Sequence, residues 1–134
     1  MIVVDSSVAI AILFEEPEAQ LFSAKIGSDG DPHISAASVL ECVIVIRSSK
    51  KLSPSETEAW IDEFLSDGDF IVEPVDLDQL ALARKAHLNF GKGTGHPAQL
   101  NFGDCFSYAL AKSLDAPLLY KGNDFARTDI VSAL

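Results

Sequence analysis

The chain opens with Met1-Ile2-Val3-Val4-Asp5, a short apolar run that ends on a carboxylate. A run of this kind, rich in β-branched residues, is typical of a strand buried on both faces of a sheet. Apolar residues then recur at helical spacing from Val8 to Phe14 and from Ala19 to Ile26, and Pro17 marks the predicted start of the second stretch. We therefore predict a buried strand followed by two helices.

The rest of the chain continues this alternation of strands and helices. Ser53-Pro54-Ser55-Glu56 supplies an N-cap, a proline at the first helical position and a glutamate three residues after the cap. The further predicted strands are 33–35, 70–73 and 118–120, and the further predicted helices are 36–47, 54–66, 77–88 and 104–114. This alternation favours an α/β domain with a mainly parallel central sheet and helices on both faces.

The length and composition suit one intracellular domain. The 134 residues contain no linker, repeat or low-complexity segment, so we predict a single domain over residues 1–134. The apolar runs are shorter than the roughly 18 residues of a membrane span, and a basic signal-peptide start is lacking, so we expect a soluble cytoplasmic protein. Cys42 and Cys105 lie in apolar helical patterns and are predicted to be core residues.

The charge balance restricts how such a protein can act on nucleic acid. Twenty acidic residues against 10 basic ones give a formal net charge of −10. A surface of this charge disfavours broad binding to phosphate. Any nucleic-acid chemistry must therefore work through a metal ion, a local basic loop, or both.

Four acidic residues stand where a parallel sheet gathers functional groups, beyond the carboxyl ends of its strands. Asp5 ends the first strand, and Asp124 follows the last. Asp104 opens a helix after the long connection 89–103, and Glu41 is the one acid of an otherwise apolar helix. We predict that these four carboxylates converge.

Convergent carboxylates indicate a divalent cation. Two carboxylates about 5 Å apart repel by roughly 3 kcal/mol at an effective dielectric of about 20, so several would not ionise together unaided. All-oxygen ligation favours Mg²⁺ or Mn²⁺ over zinc, because His33, His87 and His96 are scattered along the chain. Such an ion activates water and polarises phosphate, which is the chemistry of phosphodiester hydrolysis.

Each of these residues also has a purely structural interpretation. The acids that follow strands can shape turns, Asp104 can be a helix N-cap, and Glu41 can pair with Arg47 or Lys50. Polar residues near the acids also have two possible roles: they can contact the substrate, or they can cap a helix or lie in a solvated loop. The candidates for substrate binding are Ser6, Lys92, His96 and Asn123.

Four segments resemble the successive motifs of the PIN-domain nucleases. They are Met1-Ile-Val-Val-Asp5-Ser-Ser, the Glu41 helix, Asn101-Phe-Gly-Asp104-Cys-Phe-Ser-Tyr-Ala-Leu-Ala and Leu118-Leu-Tyr-Lys-Gly-Asn-Asp124-Phe. The third is specific, and the resemblance spans nearly the whole chain. The branch that the chain resembles is the VapC toxins of bacterial type II toxin–antitoxin modules. This resemblance implies a single PIN-like domain with four to five strands in its central sheet.

The resemblance also implies an activity, that of a Mg²⁺- or Mn²⁺-dependent endoribonuclease whose toxicity inhibits translation or growth. It maps the catalytic acids onto Asp5, Glu41, Asp104 and Asp124, with Asp5 and Asp104 as the metal ligands. In this branch the last motif often reads Gly-Asp-Asp-Phe, whereas Asn123 replaces the first of the two acids here. The number of metal ions therefore stays open.

The partners implied by the resemblance are an RNA substrate, a second copy of the chain and a VapB-like antitoxin. The antitoxin's C-terminal segment would fill the site, commonly with an arginine, and would form a hetero-oligomer with the toxin. The expected docking rim lies on the early helices around Ala11, Leu13, Phe14 and Phe22.

Three other interpretations compete with the nuclease. A receiver-type Mg²⁺-binding signalling domain would carry an acidic pair at the first strand, where this chain has one acid. A dehalogenase-type phosphatase needs a second aspartate two residues after the first, and position 7 is serine. A catalytically weak PIN-fold module that only binds its partner is favoured by Asn123.

Overall fold

The computed structural model describes residues 1–49 and 51–134. Strands and helices alternate along the described chain, as the sequence predicts. Their bounds are β1 Ile2–Val4, α1 Ser6–Leu13, α2 Ala19–Asp29, β2 Pro32–Ser35, α3 Ala36–Ser48, α4 Pro54–Asp67, β3 Ile71–Glu73, α5 Leu77–Phe90, α6 Phe102–Leu114, β4 Leu118–Leu119 and a 3₁₀ helix Phe125–Arg127.

The four strands form one parallel sheet in the order β3-β2-β1-β4. Val3 is in register with His33 on one side and with Leu118 on the other. Because the strands are parallel, β1, β2 and β4 all end at the same edge of the sheet. The predicted α/β class and parallel sheet are confirmed, and this edge is where Asp5 lies.

Helices cover both faces of the sheet at β1. Successive side chains of a strand point to opposite faces, so the apolar residues of β1 need a packing partner on each side. Val3 packs into a buried cluster with Leu110 of α6 and Ala83 of α5. Its neighbours Ile2 and Val4 pack instead with residues of α1 and α2. The sheet therefore separates a layer formed by α5 and α6 from a layer formed by α1 and α2.

A third buried cluster joins α1, α3 and α4 around Cys42, Ile46 and Ile61. Cys42 and Cys105 are both free and buried, which confirms their prediction as core residues. Burial raises the pKa of the Cys42 thiol to about 12, so it stays protonated and unreactive near neutral pH. Within the described residues, no helix is both long and apolar enough to cross a bilayer.

The N-cap of α6 is Asn101, so the alternative interpretation of Asp104 as the cap is wrong. The Asn101 side chain accepts a hydrogen bond from the Asp104 backbone N–H at 2.9 Å. The Asp104 carboxylate in turn accepts one from the Asn101 backbone N–H at 3.0 Å. This reciprocal capping box places Asp104 in the first helical turn and moves the helix start two residues earlier than predicted. The preceding connection is also shorter than predicted, since α5 continues to Phe90.

The expected docking rim on the early helices is partly wrong. Ala11 and Phe22 are 0% and 3% exposed and belong to the core beneath α1 and α2. Leu13 and Phe14 are only partly buried and remain at the surface. The apolar spacing of these helices could not separate the inward from the outward side chains, because both contain more apolar residues than one face can bury.

Candidate active site

Asp5 is the most deeply placed of the predicted site residues. It follows β1, caps α1 and is 3% exposed. Its Oδ2 accepts hydrogen bonds from the Ser7 backbone N–H at 3.0 Å and from Ser7 Oγ at 2.6 Å, and its Oδ1 accepts one from Ser107 Oγ at 2.5 Å. Three donors offset the cost of burying a carboxylate and fix its orientation.

Glu41 lies half-buried on α3, and Ser6 Oγ donates a hydrogen bond to its Oε1. Burial raises the pKa of the Glu41 carboxyl, the bond from Ser6 opposes this, and the nearby charge of Asp5 raises the pKa further. Glu41 therefore faces the site and holds its proton more strongly than an ordinary glutamate.

The structural interpretation of Glu41 as the partner of a basic residue is not supported by the described contacts. Arg47 uses its guanidinium to donate to the Leu52 carbonyl at 2.6 Å. The other candidate partner, Lys50, lies outside the described residues. The partner that the structure provides for Glu41 is the Ser6 hydroxyl.

Asp104 experiences the electric fields of all three other acids. Burial raises the pKa of its carboxyl to about 7, against the lowering effect of the Asn101 backbone N–H. The charges of Asp5, Asp124 and Glu41 contribute to the increase. The structure thus brings the four predicted acids within electrostatic reach of one another, although Asp5 and Asp104 are far apart in the sequence.

Asp124 approaches the site from the open side. It precedes the 3₁₀ helix, makes no side-chain capping bond and is exposed, as is its neighbour Asn123. Its carboxylate is therefore free for another partner.

Two serines that the sequence analysis missed hold Asp5 in place. Ser7 Oγ donates to Asp5 and accepts a hydrogen bond from the Lys121 backbone N–H at 3.0 Å, which ties Asp5 to the end of β4. Ser107 Oγ is buried and lies 3.3 Å from Ser38 Oγ. A signal for Ser107 was present, since it lies one turn after Asp104 on a helix with otherwise apolar neighbours.

Gly103 is a third residue that the sequence analysis missed. A Cβ atom at this position would lie 2.0 Å from Glu41 Oε2, 2.6 Å from its Cδ and 2.8 Å from its Oε1. The absence of a side chain at Gly103 therefore lets the first turn of α6 pack directly against the Glu41 carboxylate.

The predicted substrate-binding residues are spread over several environments. Ser6 is engaged with Glu41. His96 supports its own loop, because its Nδ1 accepts from the Ala98 backbone N–H at 3.0 Å and its ring packs edge-on against Phe90. Lys92 and Asn123 are exposed.

Comparison with known proteins identifies the family. Residues 2–131 match the model of the PIN domain. The chain is 47% identical to ribonuclease VapC28 of Mycobacterium tuberculosis over 132 residues, which cover 98% of this chain and 97% of that protein. It is 43% identical to a ribonuclease VapC of Mycolicibacterium smegmatis over 130 residues, or 97% and 98% of the two chains.

A solved structure shows the same fold. The crystal structure of VapC20 of Mycobacterium tuberculosis, described as a sarcin–ricin loop cleaving toxin, aligns with a TM-score of 0.77 over 98% of this chain and 97% of that one. At 15% identity, this likeness concerns the fold alone.

The chain therefore belongs to the PIN-domain family, within its branch of VapC ribonucleases. The predicted family and the predicted ribonuclease function are confirmed. The receiver and phosphatase interpretations are excluded by this membership.

Proposed function

We propose that this ribonuclease hydrolyses RNA phosphodiester bonds with the help of Mg²⁺ or Mn²⁺ bound by Asp5 and Asp104. The observation that carries the proposal is the convergence of four acids, since burial first, and then repulsion by the charges of Asp5, Asp124 and Glu41, raise the pKa of Asp104 to about 7. A bound cation would remove this repulsion. RNA cleavage by Asp5→Asn and Asp104→Asn variants, with and without Mg²⁺, tests it.

The donor atoms fit a hard divalent cation. All four side chains offer oxygen, and the hydrogen bonds to Asp5 and Asp104 leave lone pairs on both carboxylates. Among the described residues, no group of three or more His, Cys, Asp and Glu side chains is arranged as a metal site. Mg²⁺ is commonly bound through one or two carboxylates, with waters and substrate phosphate as its other ligands, so the pair of Asp5 and Asp104 is sufficient.

When bound, the cation would stabilise charge on the phosphate and lower the pKa of the attacking water. Glu41 is the proton acceptor in our proposal, because it lies outside the ligand pair and its pKa is raised. Ser6 holds that carboxylate in place. Asp124, which is exposed, completes the acidic set from the solvent side.

The crowded acids predict an unusual pH dependence of stability for the metal-free protein. The carboxyl pKa values of Asp104 and Glu41 are raised on folding, so the folded state binds more protons than the unfolded state. Stability should therefore fall as pH rises from about 4 to about 7 and stay low above it. We expect the melting temperature without metal to be lower at about pH 8 than at about pH 5.5, and Mg²⁺ to restore it. A melting temperature independent of Mg²⁺ at the higher pH would contradict the proposal.

We also propose a VapB-like antitoxin as the partner, docked in a groove next to the early helices. The groove measures about 650 Å³ and lies between α1, α2 and α4. Its apolar lining includes Leu13, Trp60 and Phe64. The charged residues that line it within the described part of the chain are all acidic, namely Glu15, Glu63, Asp67 and Asp69. An apolar floor with an acidic rim suits a basic amphipathic segment.

Charge reversal on this rim is expected to weaken inhibition by the antitoxin. Glu63→Lys with Asp67→Lys should raise the antitoxin concentration needed for half-inhibition of RNA cleavage by about tenfold, because two attractive contacts become repulsive. Glu58→Lys with Asp62→Lys is the matched control, since both residues are exposed on α4 but do not line the groove. Equal inhibition of the two double variants would place the antitoxin elsewhere, and wild-type cleavage unaffected by antitoxin would refute the partnership.

We also propose that the protein forms a homodimer through α3. Leu40 and Ile44 lie four residues apart on α3 and are 60% and 59% exposed. An exposed apolar pair on one helix face is a suitable contact for a second copy. Light scattering of the wild type and of a Leu40→Glu, Ile44→Glu variant measures this assembly directly.

A further inference from the structure

The groove between α5 and the start of α6 differs in charge from the rest of this acidic protein. It measures about 630 Å³, and three of the residues that line it are Arg84, His87 and Lys92. No aspartate or glutamate belongs to its lining within residues 1–49 and 51–134. The rest of the lining is mostly apolar. In a chain of net charge −10, an apolar groove whose charged residues in the described chain are all basic suits an anionic ligand that also carries apolar surface.

The basic groups of the groove are available for binding. Arg84 and Lys92 are exposed, and no carboxylate of the described residues lies within ion-pairing distance of either. By contrast, Lys112 pairs with Asp129, and Lys121 pairs with Glu16 and Glu18. Two unpaired basic charges therefore lie in the groove, where phosphate can reach them.

An aromatic platform accompanies these charges. Phe102 is 82% exposed, and its ring packs edge-on against Phe106 with the centroids 4.9 Å apart. Both phenylalanines line the groove. Exposed aromatic rings beside basic side chains are the usual combination for binding a single strand, since bases stack on the rings while the cations track the phosphates.

The groove also adjoins the proposed site of cleavage. Asn101 and Cys105 both line it. The Asn101 backbone N–H donates a hydrogen bond to the Asp104 carboxylate, and Cys105, the residue after Asp104, donates through its Sγ to the Asn101 carbonyl. A strand lying in this groove would therefore pass directly to the acids.

We propose that this groove binds an unpaired stretch of the RNA substrate, with phosphates on Arg84 and Lys92 and a base stacked on Phe102. This inference rests on the proposed function and explains how an acidic enzyme holds an anionic substrate. It extends the prediction for Lys92 and adds Arg84 and Phe102, which the sequence analysis did not identify.

The test measures binding of a short single-stranded RNA to the Asp104→Asn protein, so that affinity is read without cleavage. The double reversal Arg84→Glu, Lys92→Glu is expected to weaken binding by at least about tenfold. It should also reduce the salt dependence by about 1.4 in log–log slope, because two phosphates are no longer neutralised by the protein. Lys25→Glu with Lys51→Glu, which changes net charge equally outside the groove, should have a much smaller effect.

Phe102→Ala tests the stacking of a base on the exposed ring. It should lower the affinity for single-stranded RNA by about tenfold and change the affinity for a duplex of the same sequence little.

Three results would overturn the inference. Equal RNA affinity of the groove and control variants would show that the strand lies elsewhere. A changed mass by light scattering with unchanged RNA affinity would assign the groove to a second copy, and loss of antitoxin binding alone would assign it to the antitoxin. Melting curves establish that each variant is folded. A failure of the proposed catalytic function gives a different result, since the Asp104→Asn protein would then still cleave RNA whatever its affinity for the strand.

Discussion

Replacement of Asp5 or Asp104 by asparagine is expected to reduce RNA cleavage by at least about 100-fold while the protein stays folded. Changes in groups that only support metal ligands lower metal affinity or activity by about 10- to 100-fold. Loss of the charge of a ligand itself should therefore lower activity by at least the upper value. The asparagine oxygen can still accept the hydrogen bonds from Ser7 or Asn101 that position each carboxylate. Mg²⁺-dependent cleavage of RNA by wild type and variants measures the effect.

The matched control for this prediction lies at the other end of the same helix. Asp115 ends α6 with a φ of 50°, a left-handed conformation that asparagine tolerates well. Asp115→Asn therefore makes the same chemical change away from the site and should cleave RNA like the wild type. Asp104→Asn should also raise the stability of the metal-free protein above about pH 7, because it removes a repelled charge. Full activity of both site variants would refute the assignment of these ligands.

Gly103→Ala is expected to reduce cleavage by about 100-fold without destabilising the protein. The new Cβ would lie 2.0 Å from Glu41 Oε2, and the three atoms nearest to it all belong to the Glu41 carboxyl group. The end of a side chain yields more easily than backbone, so the carboxylate should be displaced while α6 stays in place. A displacement of about 1 Å in a reacting group can cost about 100-fold in rate. Stability should hold or rise, because alanine is favoured over glycine in helices by up to about 1 kcal/mol.

Gly27→Ala provides the comparison for Gly103→Ala. Gly27 is also helical, but a Cβ there meets no atom within 4 Å, so this variant should gain stability and keep its activity. The double variant Gly103→Ala, Glu41→Ala should be no less active than Glu41→Ala alone, since both changes remove the same carboxylate from its position. Wild-type cleavage by Gly103→Ala would show that the position of Glu41 is unimportant. A large drop in melting temperature would show that α6 has moved instead.

Much of the fold was predictable because it depends on local patterns. The apolar run before Asp5 and the alternation of strands with helices predicted the parallel sheet, and the sheet in turn predicted the edge where the acids meet. The capping box at Ser53 and Glu56 was recognisable from four residues. The start of α6 was missed because Asn101 and Asp104 are both good cap residues, and only their mutual hydrogen bonds decide which one is the cap.

The sequence by itself determined the family, the α/β architecture and the identity of the acids, because these depend on residue types at short, regular spacings. The tertiary structure alone decided what surrounds each acid. Ser107 contacts Asp5 across 102 positions, and Gly103 touches Glu41 only because α6 packs against α3. Such contacts depend on the angle and distance between packed elements, which no local pattern encodes. For the same reason, only the fold shows that Arg84, His87 and Lys92 line one groove together with Asn101 and Cys105, the neighbours of Asp104.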